Sequence, residues 1–307
     1  MSRKKNTVAC FGEVLWDMLP AGRKPGGAPM NVAYHLHRLG IHSTVISRIG
    51  NDEDGADLIG FLAGIGISTA YIQIDHRQRT SRVLASMSED NEVNYDIVAP
   101  TAWDFIHYET RLEALMQETG VLVYGSLAAR NETSRNTLLT LLEKAEYRLF
   151  DINLRAPHYT SAVIDQLLRN ADAIKLNIHE LVEVTGWFGN HSGNEYTGIG
   201  LLQDQYNLAE IIVTKGERGA SYYTPSARYD YPAVPVQVRD TVGSGDSFLA
   251  AFLAQKLRGE PNENMLEFAA ALGAYVTTQS GACPPYSRTD LNRFMWQKYL
   301  EGNAWRQ

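Results

Sequence analysis

Only two of the 307 residues are cysteine, Cys10 and Cys283, and no C-x-x-C pair occurs. That argues against a disulfide framework and a thiolate metal site, and leaves two reduced thiols, as expected in a cytoplasmic setting. Positive charge is also short. The 28 Lys and Arg residues against 35 Asp and Glu give a formal net charge of −7, and the cations are scattered. No basic stripe is present to neutralise a run of phosphates, which argues against nucleic acid as a partner. Long apolar runs are missing. The first one is broken at Gly12 and Glu13, too early for a secretory signal. Nothing approaches the roughly 18 uninterrupted apolar residues of a membrane-spanning helix. Finally, neither the Walker pattern nor the protein-kinase set of H-R-D and D-F-G occurs.

What is present is an ordinary globular mix, with 44% hydrophobic and 21% charged residues. Short β-branched or aromatic runs recur at 8–11, 45–49, 121–124, 149–152, 173–176 and 211–214, the pattern of buried strands. Between most of them lie helically spaced apolar residues, such as Val32, Ala33, Leu36 and Leu39, or Leu138, Leu141 and Leu142. The alternation predicts an α/β fold, a mainly parallel sheet with helices on both faces and ligands at the carboxyl ends of the strands. Residues 13–25 and 79–96 break the rhythm with polar–apolar alternation and no helix, which predicts a small antiparallel β lid. No repeat or linker divides the chain, so a single domain over 1–307 is expected. The Gly-, Asn- and Ser-rich stretch 187–197 reads as a surface loop.

The strongest chemical signal is Asp240-Thr241-Val242-Gly243-Ser244-Gly245-Asp246, followed at once by helix-forming, apolar residues. Gly243, Ser244 and Gly245 let backbone approach a ligand, and the free N–H groups of a first helical turn attract an anion. A carboxylate in a phosphate cradle repels the ligand its amides attract, unless it is a base for phosphoryl transfer, a task an ordinary ionised Asp can perform. The helix dipole would keep Asp246 ionised. The alternative is a helix-capping Asp beside an unremarkable turn.

A second signal is Gly26-Gly27-Ala28-Pro29-Met30-Asn31, with Pro29 suited to a first helical turn and Asn31 offering a donor and an acceptor to sugar hydroxyls. A tight turn with a solvated Asn reads equally well. Asn177-Ile178-His179-Glu180 is by itself a strand end and helix start; its H-E-x-x-E continuation is not the zinc pattern H-E-x-x-H. His35 and His37, two apart, cannot share a helix face and read as surface or packing residues.

Together these segments, with Gly50, Asp52 and Gly55, Thr214-Lys215-Gly216 and Gly219, and Gly281-Ala282, resemble the ribokinase-like (PfkB-type) carbohydrate kinase family over nearly the whole chain. The resemblance implies that Asp246 is the catalytic base and that the Gly243, Ser244 and Gly245 amides form an anion hole. It places Asp17, Gly26, Gly27 and Asn31 at the sugar. Asn177 and Glu180 match the N-x-x-E that organises Mg²⁺, through water, and the ATP phosphates, while Thr214, Lys215, Gly216 and Gly219 match nucleotide-binding positions. Some members also hold a monovalent cation such as K⁺. Asp240 and the carbonyl of Val242 match half of that site, whereas 278–284 departs from the expected pattern.

Within the family, the 12–17 segment, the Gly-Gly-Ala-Pro-Met-Asn run, Ala102-Trp103-Asp104 and Asp151-Ile152-Asn153-Leu154-Arg155 are most similar to bacterial fructokinases. Arg155 follows a strand and could bridge substrate and γ-phosphate, or form a surface ion pair. The expected activity is transfer from ATP to a ketohexose hydroxyl, at O1 or O6. Alternatives are another acceptor (2-keto-3-deoxygluconate, ribose or a nucleoside) or a non-catalytic sugar sensor. An apolar lid face could form a homodimer.

Overall fold

In a computed structural model, which describes residues 6–19, 22–87, 93–190 and 193–301, the alternating runs become two sheets. The amino-terminal part comprises β1 (Thr7–Phe11), β2 (Leu15–Leu19), β3 (Gly22–Gly26), α1 (Ala28–Arg38), β4 (His42–Gly50), α2 (Glu53–Gly64), β5 (Ile72–Asp75), β6 (Ser81–Met87) and β7 (Val93–Ile97). After it come α3 (Thr110–Glu118), β8 (Val121–Gly125), α4 (Glu132–Leu142), β9 (Arg148–Asp151), α5 (Ser161–Leu168), β10 (Ala173–Asn177) and α6 (Ile178–Gly186). The remainder is α7 (Glu195–Tyr206), β11 (Glu210–Thr214), β12 (Ala220–Tyr223), β13 (Arg228–Tyr231), α8 (Ser244–Arg258), α9 (Asn262–Thr277) and α10 (Arg288–Glu301).

The large sheet has nine strands in the order β13-β12-β11-β10-β9-β8-β1-β4-β5, parallel except where β12 and β13 close one edge. Because β1 pairs with both β4 and β8, the strand order reverses there, which is where an open α/β sheet places its ligand crevice, beyond the carboxyl ends of the strands. The central strands are covered on both sides. Val8 and Cys10 of β1 face α1, α2, α8 and α9, while Ala9 and Phe11 face the helices α3 to α7. That two-sided burial explains why the strands read as continuous apolar runs. Each fully buried Leu or Phe on these faces contributes roughly 1.5–3 kcal/mol. Among the described residues, no helix is long and apolar enough to cross a membrane.

The smaller sheet, β3-β2-β6-β7, comes from the two stretches that lack a helix. Its inner pair β2 and β6 is parallel and its outer pairs are antiparallel. The expectation of a purely antiparallel sheet is corrected: α1, β4, α2 and β5 intervene between β3 and β6, so β6 arrives in the direction of β2. Residues 20, 21 and 88–92 of these stretches lie outside the described residues.

The 187–197 stretch also needs correction. Asn194 accepts the Thr197 N–H and starts α7 at Glu195, so the end of the presumed loop is a capped helix start. The two cysteines are free thiols, as expected. His35 is a packing residue: it is fully buried, with Nε2 2.9 Å from Ala282 O and Nδ1 3.0 Å from Tyr286 Oη, and it pins the 282–286 segment to α1.

Candidate active site

The loop 240–245 turns into α8 at the crevice. Gly243 caps the helix with φ +75°, and a Cβ there would overlap Ala282, so only glycine fits without strain. Asp240 shapes the loop: its Oδ1 accepts Val242 N–H at 3.0 Å and its Oδ2 accepts Gly281 N–H at 2.8 Å. The carbonyl of Thr277 takes the N–H groups of Arg239 and Asp240. Ser244 N–H donates back to Thr241 O at 3.2 Å, while the Gly243 and Gly245 amides have no backbone partner among the described residues. Two N–H groups therefore remain open to an anion at the positive end of a helix.

Asp246 occupies the first turn of α8. Asn31, in the first turn of α1, donates from Nδ2 to Asp246 Oδ2 at 2.8 Å. The Asn31 carbonyl accepts from Cys283 Sγ at 3.3 Å. Behind Asp246 lies a buried ion pair, Lys175 Nζ to Asp151 Oδ1 at 2.8 Å and Oδ2 at 2.9 Å. Lys175 approaches the anion loop closely enough that a Cβ on Gly245 would sit 3.4 Å from Nζ. Burial raises the Asp246 pKa, and the Asp151 charge raises it further; Lys175, the Asn31 hydrogen bond and Arg155 oppose them. The helix dipole and these partners favour the charged form of Asp246, while burial and Asp151 work against it.

Two further carboxylates lie near enough to Asp246 for its charge to act on them. Asp17 on β2 has its pKa pushed up to about 6, first by burial and then by Asp246 and Asp240, with Arg155 opposing. Gly26 makes room for it, since a Cβ there would strike Asp17 Oδ2. Glu13 is buried, its Oε1 accepts the Ala28 N–H at 3.1 Å and its Oε2 has no partner. Burial pushes its pKa up to about 7. Gly27, at φ +113°, lies against the Glu13 carbonyl, where a Cβ would collide. Arg155 is exposed, bonds its neighbour's Leu154 O at 3.0 Å and no other group among the described residues, and lowers the pKa of Glu13, Asp17 and Asp246 alike. Of its two readings, the one facing the crevice agrees with this field.

Farther along the strand ends, Asn177 caps α6 by accepting the His179 and Glu180 N–H groups. Glu180 Oε2 accepts the Asn177 N–H at 2.7 Å and its Oε1 accepts the Leu154 N–H at 2.9 Å. Each oxygen already accepts a backbone amide, so the residue suits a magnesium ion held through water and not direct ligation. No cluster of three or more His, Cys, Asp or Glu that could hold a metal ion occurs among the described residues. Thr214 is paired in register with Asn177, and Gly216 follows at φ +57°. The Lys215 ammonium turns away to Glu195 at 3.2 Å and to Asp230 at 3.6 Å, and Gly219 closes the turn by accepting Lys215 N–H at 2.8 Å. Those two side positions hold the β11–β12 corner together; Thr214 and Gly216 remain at the strand end.

Reading the sequence did not single out Glu13, Lys175 or Cys283. Lys175 carried a usable signal, since a lysine inside an otherwise apolar strand must find a counter-ion.

A carboxylate and open amides on one helix tip, with an asparagine and a second carboxylate beside them, are the groups that phosphoryl transfer to a small hydroxylic molecule requires. The sequence matches the model of the pfkB family carbohydrate kinases over residues 6–289. It is 31% identical to a probable fructokinase-7 of Arabidopsis thaliana, over 92% of this chain and 90% of that one. The fold superposes on a fructokinase with bound ATP from Xylella fastidiosa with a TM-score of 0.86, at 23% identity over 96% and 99% of the two chains. It also superposes on a fructokinase double mutant from Vibrio cholerae O395 bound to fructose, ADP and potassium ion, with a TM-score of 0.82, at 24% identity over 96% and 100%. The chain belongs to the pfkB family of carbohydrate kinases.

Proposed function

We propose that this carbohydrate kinase transfers the γ-phosphoryl group of ATP to a hydroxyl of a ketohexose, fructose in the first instance. The observation that carries the reading is the 2.8 Å bond from Asn31 to Asp246, which puts a sugar-facing amide beside the base at the open helix tip. The fructokinase relatives and the ligands of the two related structures favour fructose and ATP over the alternative acceptors. The Lys175–Asp151 pair behind Asp246 favours an enzyme over a sensor, which would not need a tuned base.

In the mechanism, Asp17, Asn31 and the Gly26–Gly27 turn bind and orient the sugar, and Asp246 Oδ accepts the proton of the attacking hydroxyl. The amides of Gly243 and Gly245 receive the charge on the transferring group, and Arg155 reaches from sugar to phosphate. Magnesium carried on the phosphates, and held through water by Glu180, would neutralise their charge. The small sheet, set around 13–25 and 79–96 in one continuous domain, acts as a lid that excludes water from the site. K⁺ would sit near Asp240 and the Val242 carbonyl, where the 277–281 segment closes on the loop; comparing K⁺ with Na⁺ in the assay tests this. The outward-facing Leu84 of β6 is 44% exposed and would lie in a lid-to-lid homodimer, testable by light scattering. Two free thiols fit a cytoplasmic enzyme.

A coupled ADP-release screen over fructose, ribose, 2-keto-3-deoxygluconate and nucleosides tests the substrate. Fructose should give the largest kcat/KM; preference for another acceptor would overturn the substrate, and no sugar-dependent ADP release would overturn the activity.

A further inference from the structure

A second cavity, of about 590 Å³, opens between the segment that leaves β7 and the loops that follow β8 and β9. It shares no lining residue with the Asp246 site, and Pro100, Arg130, Arg135, His158 and Thr160 are among the residues that line it. Its lining residues include two arginines and one carboxylate, and the charge of Asp96 also reaches His158. Asp104 is the one carboxylate in the wall, and it is fully engaged: Arg130 Nε and Nη2 hold it at 2.7 and 2.8 Å, and it accepts Thr101 N–H at 2.8 Å.

The Arg130 side chain is buried, with Cζ 4.0 Å over the Trp103 ring, and its Nε and Nη2 are taken by Asp104 and Val98 O, which leaves Nη1. That nitrogen lies 3.4 Å from His158 Nδ1. An arginine only donates, so Nδ1 accepts and the His158 proton stands on Nε2 as a further donor. Arg135 donates one bond to Ala129 O at 3.0 Å and has no ion-pair partner among the described residues. A guanidinium with free N–H groups, an imidazole N–H and a wall whose single carboxylate is neutralised suit a small dianion with several acceptor oxygens.

We propose that this cavity is an accessory site for a phosphate group, inorganic or carried on a small organic ester, distinct from the transferring phosphoryl site. It also has a route to the catalytic cleft. Arg130 Nη2 donates to Val98 O at 2.9 Å, one residue beyond the end of β7, and Ala102 N–H donates to Arg79 O at 3.0 Å, two residues before β6. An anion drawing on Arg130 and Arg135 therefore bears on both roots of the small sheet, and is expected to alter KM for the sugar more than kcat.

The test uses the full chain with the active site filled by fructose and a non-hydrolysable ATP analogue. Inorganic phosphate and fructose 6-phosphate are titrated calorimetrically into wild type, Arg135→Met and His158→Ala. The site predicts one further equivalent bound by wild type and a weakening of about tenfold or more in each variant, the loss expected when a charged or well-aligned donor is removed. Basal turnover should be unchanged. Tighter binding of the sugar phosphate assigns an ester effector, and equal binding assigns the free ion. No additional binding at about 10 mM, or equal affinity in wild type and His158→Ala, overturns the proposal.

Discussion

Asn31 and Asp246 stand 215 residues apart in the chain and 2.8 Å apart in the structure, the donor on the first turn of α1 and the acceptor on the first turn of α8. The contact joins the turn at Gly26–Gly27 to the loop at Gly243–Gly245 and holds one lone pair of Asp246, the proposed base, in a fixed direction. It also favours the ionised carboxylate against the burial that disfavours it.

Replacing Asn31 by Leu should therefore do two things. Sugar kcat/KM should fall by about tenfold or more, from loss of a hydrogen bond to a charged group. The acid limb of the pH–rate profile should move to higher pH, because Asp246 loses a partner that stabilises its charge. An unchanged limb would show that the bond does not tune the base.

Lys175→Met should leave Asp151 and Asp246 repelling each other in an enclosed space. Removing one partner of a buried pair costs about 3–5 kcal/mol, so the melting temperature should drop and the acid limb should again rise. The double variant Asp151→Asn/Lys175→Met should recover much of the stability. Failure of the double variant to recover would mean that Lys175 acts through packing and not through charge.

Glu13 makes stability depend on pH. Its pKa is pushed up to about 7 from 4.5, so between those values the native chain keeps a proton that the unfolded chain has released. Stability present at low pH is then lost as pH rises through that window, by an amount on the order of 3 kcal/mol. Glu13→Gln should flatten that slope, giving a higher melting temperature than wild type at pH 8 and little difference at pH 4.5. Parallel melting curves at both pH values would contradict it.

Much of this architecture was legible because the large sheet is covered on both faces, so its strands and helices differ in apolar period. The two glycine-rich turns were legible for a local reason: backbone at Gly27 and Gly243 must take positive φ against a neighbouring wall. Long-range partners were not. Nothing local to Lys175 names Asp151 as its counter-ion, and the buried Glu13 becomes unusual only once Ala28 and Asp246 close around it. The direction of β6 depended on which elements intervene, and the start of α7 was masked by a stretch whose Gly, Asn and Ser residues also serve as caps. Lys215 matched a nucleotide-binding pattern by position, yet its ammonium is held by Glu195 and Asp230, contacts that appear only when α7 and β13 meet at the sheet edge.

The most direct measurement is fructose-dependent ADP release by Asp246→Ala beside ATP binding by the same variant. Turnover should fall by about 10²–10⁴-fold or more, the contribution of a positioned base, while ATP affinity stays near that of wild type. Turnover within about tenfold of wild type would mean that the proton leaves by another route and that Asp246 is not the base.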